Sequence, residues 1–156
     1  MTIVKHAFSL QKGMLPLFLL FVTAGCSKDF FKPYSERIIG QWELYDINKT
    51  GLGSSKIVYS EGSFRFSDDG SFLYTRASGA KYAGTWRLKK YTVTVTDNDG
   101  GQRSEQKHSL LLSATNTDDQ QMLAENFDDL NFTSTDKFKA LVNNNFNTVS
   151  YKFKRN

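Results

Sequence analysis

Tyr91-Thr-Val-Thr-Val-Thr96 alternates without a break, with Tyr91, Val93 and Val95 set against three threonines. An extended strand sends successive side chains to opposite faces, so this pattern marks one covered face and one wet face. The same period recurs along the chain. Ile38, Gly40, Trp42 and Leu44 share a phase between Arg37 and Ile47. Phe64 and Phe66 run into Ser67-Asp-Asp-Gly70, and Phe72 and Tyr74 leave it, which is the pattern of a hairpin around an Asp-Gly turn. Tyr82, Gly84, Trp86 and Leu88 alternate up to a bend expected at Lys89-Lys90. Leu110 and Leu112 fall within the strand expected from Arg103 to Ala114, after a turn at Asp97-Asn-Asp-Gly-Gly101. Met122 and Ala124 are the apolar positions expected between Gln120 and Phe127, and Val149, Tyr151 and Phe153 alternate in the last segment, 147–154.

These segments predict an all-β fold of eight antiparallel strands in meander order. One interruption is expected. Phe138, Leu141 and Val142 stand at helical spacing after Ser134 and Thr135, which predicts one short helix before the last strand. Thr50-Gly-Leu-Gly-Ser-Ser55 reads as a flexible loop. An eight-stranded meander disposes of both its edges by closing into a barrel. The alternative is an open, strongly curved sheet with the helix over one end. A closed barrel of this size is filled by its own side chains or holds one small ligand.

The start of the chain has a different character. Lys5 and Lys12 come first, then the apolar run 14–24, then Ala24, Gly25 and the only cysteine, Cys26. A positive start, an apolar middle and small residues before a cut site make a secretory signal. The run is about half the length of a membrane span and contains Pro16. The Ala24-Gly25-Cys26 junction resembles the lipobox of bacterial lipoproteins, whose signal is cut before a cysteine that carries lipid. That resemblance implies a signal peptide over 1–25, lipidation of Cys26, a tether over 26–36 and a folded domain over 37–156. It also implies two or three acyl chains, which anchor firmly where a single chain binds marginally. Ser27 in place of an acidic residue points to the outer membrane, with the leaflet open. Phe30, Phe31 and Tyr34 in the tether suit either the membrane interface or a fold back onto the domain.

The mature chain has 18 basic and 16 acidic residues, since the signal removes Lys5 and Lys12 from totals of 20 and 16. This near-neutral balance, without basic blocks interleaved with aromatics, argues against nucleic acid as a partner. Lys152-Phe-Lys-Arg155 is basic but alternates, as a solvated strand face does.

Gly40-Gln-Trp42 on the first strand, the Phe64–Phe72 hairpin, Gly84-Thr-Trp86 and an alternating aromatic last strand occur in that order. Together they resemble the lipocalins, and in particular small lipocalin-like lipoproteins of Gram-negative bacteria. The resemblance covers roughly Arg37 to Arg155. It implies that Trp42 plugs the barrel floor and that a basic side chain near the chain end covers it. Arg155 shares a phase with Val149, Tyr151 and Phe153 and is expected to stack on Trp42; the competing expectation is a solvated chain end. Gly84-Thr-Trp-Arg-Leu88 echoes Gly40-Gln-Trp-Glu-Leu44, which reads as two strands meeting one steric demand rather than a repeat.

Motifs for chemistry are sparse. The mature chain has one histidine, His108, and no Gly-x-Ser-x-Gly, phosphate loop or His-Glu-x-x-His pattern. Asp68-Asp69, Asp118-Asp119, Asp128-Asp129 and the partial calcium-loop pattern at Asp97 are accounted for by turn chemistry. No enzyme, metal or cofactor is expected. Two functions remain. One is a lipid-anchored binding protein that holds a small apolar or amphipathic molecule among Phe64, Phe66, Phe72, Tyr74, Tyr82, Trp86, Val93, Val95, Leu110, Leu112 and Tyr151. The other is an envelope structural or protein-interaction module whose barrel is filled by those same side chains.

Overall fold

The computed structural model describes residues 32–156. A single helical turn, α1 (Tyr34–Arg37), leads into nine strands. They are β1 (Gly40–Gly51), β2 (Gly62–Phe66), β3 (Ser71–Arg76), β4 (Lys81–Thr96), β5 (Gln102–Asn116), β6 (Met122–Phe127), β7 (Asp129–Phe132), β8 (Lys137–Asn144) and β9 (Asn147–Arg155). All ladders are antiparallel, in the order β6-β5-β4-β3-β2-β1-β9-β8-β7. The first and last strands pair, with Trp42 opposite Arg155 and Leu44 opposite Phe153. The hairpin read from the Asp-Gly turn is β2–β3, with Phe64 opposite Tyr74 and Phe66 opposite Phe72.

Inward positions of all nine strands meet in one apolar core: Trp42, Phe64, Phe72, Tyr82, Leu110, Phe127, Leu130, Phe138 and Tyr151 each represent one strand. Extra residues tune the strand phase. A β-bulge between Leu44 and Asp46 leaves Tyr45 outside, and beyond it Ile47 faces Tyr151.

Three expectations need correction. Residues 137–144 form strand β8, not a short helix. Phe138, Leu141 and Val142 fit a helix locally, but Phe138, Ala140 and Val142 also fit a strand, and ladders on both sides decide the matter. Lys89-Lys90 is not a bend: Lys89 pairs with Ser109 and Lys90 with His108 in one unbroken ladder, so two expected strands are the single β4. Strand β7 was not anticipated, and the count is nine instead of eight.

No ladder joins β6 to β7, so the sheet is not hydrogen-bonded into a closed barrel. The chain nonetheless passes from one end of the strand order to the other through Asp128 alone. Contacts bridge the same gap. Tyr91 on β4 donates to the Asp128 carbonyl at 2.6 Å, and Lys107 on β5 pairs with Asp129 on β7 at 3.3 Å.

The β4–β5 hairpin outruns its neighbours. Strand β3 pairs with β4 only up to Thr85, and β6 pairs with β5 only from Leu110 onward. Beyond those points the two strands have only each other as ladder partners and form a projecting ribbon. Its tip is closed by Asp97 N–H donating to Gly101 O at 2.7 Å and by an Arg103–Asp97 ion pair at 3.2 Å.

Candidate functional site

One end of the core, the floor, carries the Gly40-Gln-Trp42 motif. Trp42 is fully buried, and its indole N–H donates to Ile38 O at 2.7 Å. Its ring meets Phe138 edge-on at 4.7 Å, and Phe138 stacks on Phe153 at 4.4 Å. The Arg155 guanidinium lies 4.4 Å from the Trp42 ring centroid and donates to Ile39 O at 3.1 Å and Arg37 O at 2.8 Å. Gly40 has φ +125°, and a Cβ there would meet Arg155 Nη1 at 2.6 Å. The glycine therefore admits both an unusual backbone angle and the arginine that crosses it. α1 docks on this end: Tyr34 stacks on His108 at 4.1 Å, and Arg37 lies 4.1 Å over the Phe132 ring. Tyr34 thus folds back on the domain; Phe30 and Phe31 lie outside the described residues, as does Cys26 with the whole of 1–25. His108 is held below the usual imidazole range, first by burial and then by Lys90, with Asp129 opposing.

The interior is densely aromatic. Phe64, Phe66, Phe72, Tyr74, Tyr82, Leu110, Leu112 and Tyr151 are each at most 2% exposed. None of them lines the surface recesses near Phe146, near Gly70, near Arg37 or near Tyr45. Trp86 sits at the rim, half-buried, donating to Ser67 O at 2.8 Å and meeting Phe66 edge-on at 5.9 Å. Val93 and Val95 lie on the projecting ribbon, outside the core. Their alternation is real, but no opposing layer of the core reaches that far.

Beyond the other end of β1 the core is covered differently. The connection between β1 and β2, residues 52–61, forms no ladder and sends Tyr59 fully buried into the core. The Tyr59 ring packs edge-on against Tyr74 at 5.1 Å, Phe64 at 5.6 Å and Phe72 at 6.1 Å. The loop is tied to the β8–β9 turn: Leu52 N–H donates to Phe146 O at 2.9 Å, Asn147 Nδ2 donates to Leu52 O at 3.0 Å, and Ser55 bonds Asn147.

Polar groups under this loop are unevenly satisfied. Tyr74 donates to Glu61 O at 3.2 Å and Tyr82 to Gln121 Oε1 at 3.0 Å. The Tyr59 and Tyr151 hydroxyls are buried and make no hydrogen bond of normal geometry. An unpaired buried hydroxyl costs roughly 1–3 kcal/mol. Both phenols are pushed up, chiefly by burial and next by the Glu125 charge; for Tyr151 the result is about 12, with the Val58 amide opposing. Glu125 shares the inward phase of β6 with Leu123 and Phe127, while Met122 and Ala124, the apolar positions expected there, face out. Burial, more than any neighbour, raises its carboxyl; Asp128 adds, and the Asn126 amide and Lys56 oppose.

Tyr59 and Glu125 are the site residues that pattern reading missed. Tyr59 lies in an aperiodic loop and leaves no signal. Glu125 was legible only as the even partner of Leu123 and Phe127. A raised carboxyl pKa means that folding is favoured below its titration and loses stability as pH rises through it. Glu125→Gln should therefore melt higher than the parent at about pH 7.5, and the difference should shrink by about pH 4, where the parent carboxyl is protonated. Thermal melts at both pH values check this; an equal difference at each would show that the carboxylate carries no burial cost.

Among the described residues no helix is long and apolar enough to cross a membrane, and no cluster of His, Cys, Asp and Glu is built to hold a metal ion. Comparison with family models, curated proteins and solved structures finds no match to this chain.

Proposed function

We propose that this chain is a lipid-anchored envelope protein, lipocalin-like in architecture, that holds a small apolar or amphipathic molecule at the mouth of its aromatic core. The observation that carries the reading is the construction of the mouth. A ladder-free loop covers the core there with Tyr59, fully buried, and Val58 beside it, and the buried hydroxyls of Tyr59 and Tyr151 make no hydrogen bond of normal geometry.

Architecture supports the reading in two ways. Strands β6 and β7 form one segment bent at Asp128, pairing with β5 by its first half and β8 by its second. Counted once, that segment gives the eight strands of the barrel we propose, with the bend at Asp128 in place of a β6–β7 ladder. An anchor at Cys26 is also compatible with the reading. Cys26 precedes Lys32 by six positions, a distance of at most about 20 Å along an extended chain. The chain enters at the floor, beside α1, so a lipid on Cys26 keeps the floor toward the membrane and the mouth away from it.

A second reading has its own support: the inward side chains at 0–2% exposure fill the core. On that reading the protein is an envelope structural or interaction module. Native mass spectrometry of the full-length chain extracted from its own envelope separates the two. A retained small molecule and an acyl mass on Cys26 are expected. A chain carrying lipid but no second molecule supports the filled module, and an unmodified Cys26 refutes the anchor.

A further inference from the structure

Resting on the ligand-binding reading, we propose that Tyr59 is a removable plug and that the molecule replacing it is a small aromatic amine. Its ring takes the place of the Tyr59 ring against Tyr74, Phe64 and Phe72. Its ammonium faces Glu125 and the Tyr151 hydroxyl.

The ring half of the argument is geometric. Three aromatic walls meet the Tyr59 ring edge-on, between 5.1 and 6.1 Å. They form a slot for one flat ring, and the ring now in it comes from a segment without ladder bonds. A fourth ring, Phe127, packs edge-on against Tyr151 at 5.1 Å and borders the polar end.

The polar half follows from what the slot lacks. With Tyr59 withdrawn, the Tyr151 oxygen is left without a hydrogen bond of normal geometry, and Glu125 lies on the inward face of β6, opposite Leu112 and two residues from the Phe127 that packs on Tyr151. An ionised carboxylate only accepts, and the Tyr151 oxygen retains acceptor capacity, so the group to be supplied is a donor. A positive donor is favoured because it answers the carboxylate, and an anionic one is repelled. The charged groups acting on Glu125 are Asp128 from the bend beyond β6 and Lys56 from the loop. Lys56 and Tyr59 belong to the same loop, three residues apart. When the loop withdraws, a ring and a cation leave together. An aromatic amine returns both.

The test uses the full-length chain in detergent, titrated by calorimetry with tyramine, p-cresol and 4-hydroxyphenylacetate at about pH 7.5. These probes share a phenol ring and differ in charge. Tyramine should bind at least about tenfold more tightly than p-cresol, as one charge-assisted contact implies, and the acid should bind most weakly. Glu125→Gln should reduce tyramine to the p-cresol level, and acidification through the Glu125 titration should do the same in the parent. Tyr59→Ala should tighten all three probes and keep their order. If Tyr59→Ala does not fold, Tyr59→Phe and Glu125→Gln carry the test: Tyr59→Phe should keep the preference and melt no lower than the parent.

Parent binding of p-cresol or the acid as tight as tyramine overturns the amine and leaves the ligand reading standing. No binding of any probe by the parent, with a small molecule retained from the envelope, also overturns the amine alone. No binding and no retained molecule overturns both, even if Tyr59→Ala binds, because a truncated core side chain makes an artificial cavity.

Discussion

Trp42→Ala is expected to lose about 4 kcal/mol of unfolding free energy, within the range for removing a large buried aromatic. Trp42 is fully buried at the floor, its indole N–H satisfies Ile38 O, and its ring lies between Phe138 and Arg155. Truncation removes that burial, leaves the Ile38 carbonyl without its donor and opens a void that β1 and β9 cannot close without losing register. For a domain with a total stability of about 5–15 kcal/mol the loss is a large share. Arg155→Ala should cost less, about 1–2 kcal/mol, because its contacts are partly solvated. Lys152→Ala, whose partner is Asp46 at the surface at 2.8 Å, should cost the least of the three. Denaturant unfolding of Trp42→Ala, Arg155→Ala and the double variant measures the stack itself. A coupling of at least about 0.5 kcal/mol is expected; strict additivity would mean that the guanidinium merely lies near the ring.

The same floor shows which parts of the molecule were legible from sequence. Arg155 is far along the chain from Gly40 and Trp42, but each lies in a locally alternating segment, so their phase was readable and the β1–β9 ladder brings them together. The Phe64–Phe72 hairpin was readable because its turn and its two strands are local. Strand β8 was not, because an apolar set at 138, 141 and 142 serves a helix locally, and only β7 and β9 on either side make it a strand. Val93 and Val95 show the converse. Alternation tells that a strand has two faces; whether anything covers one of them depends on how far the neighbouring strands extend. The loop-covered part of the core was least legible. Tyr59 reaches the core from a segment with no period, and Glu125 occupies an inward position where an apolar residue is the ordinary choice.

Gly84→Ala is the second large expected loss, about 3 kcal/mol, at the upper end for overpacking a core position. Gly84 lies in β4 between Phe72 of β3 and Ala114 of β5. A Cβ there would stand 1.9 Å from Ser113 O and 2.6 Å from the Ala114 Cα. Both neighbours are backbone and cannot rotate away, so β4 and β5 must separate where Tyr82 and Leu112 enter the core. This contrasts with Gly40, whose crowding neighbour is the flexible end of Arg155 and whose φ is positive. The two Gly-x-Trp motifs therefore answer different steric demands, contrary to the single demand that their echo suggests. Their tryptophans differ accordingly: Trp42 is sealed in the floor and Trp86 stands half-buried at the rim. Gly101→Ala, at the ribbon tip with only the Asp99 side chain nearby at 3.2 Å, is the control and should change stability little. Melting curves should place Gly84→Ala about 10 °C below the parent. Equal melting of the two variants would mean that β4 and β5 do not approach this closely, and the tight curl that gathers the aromatic core would then need another cause.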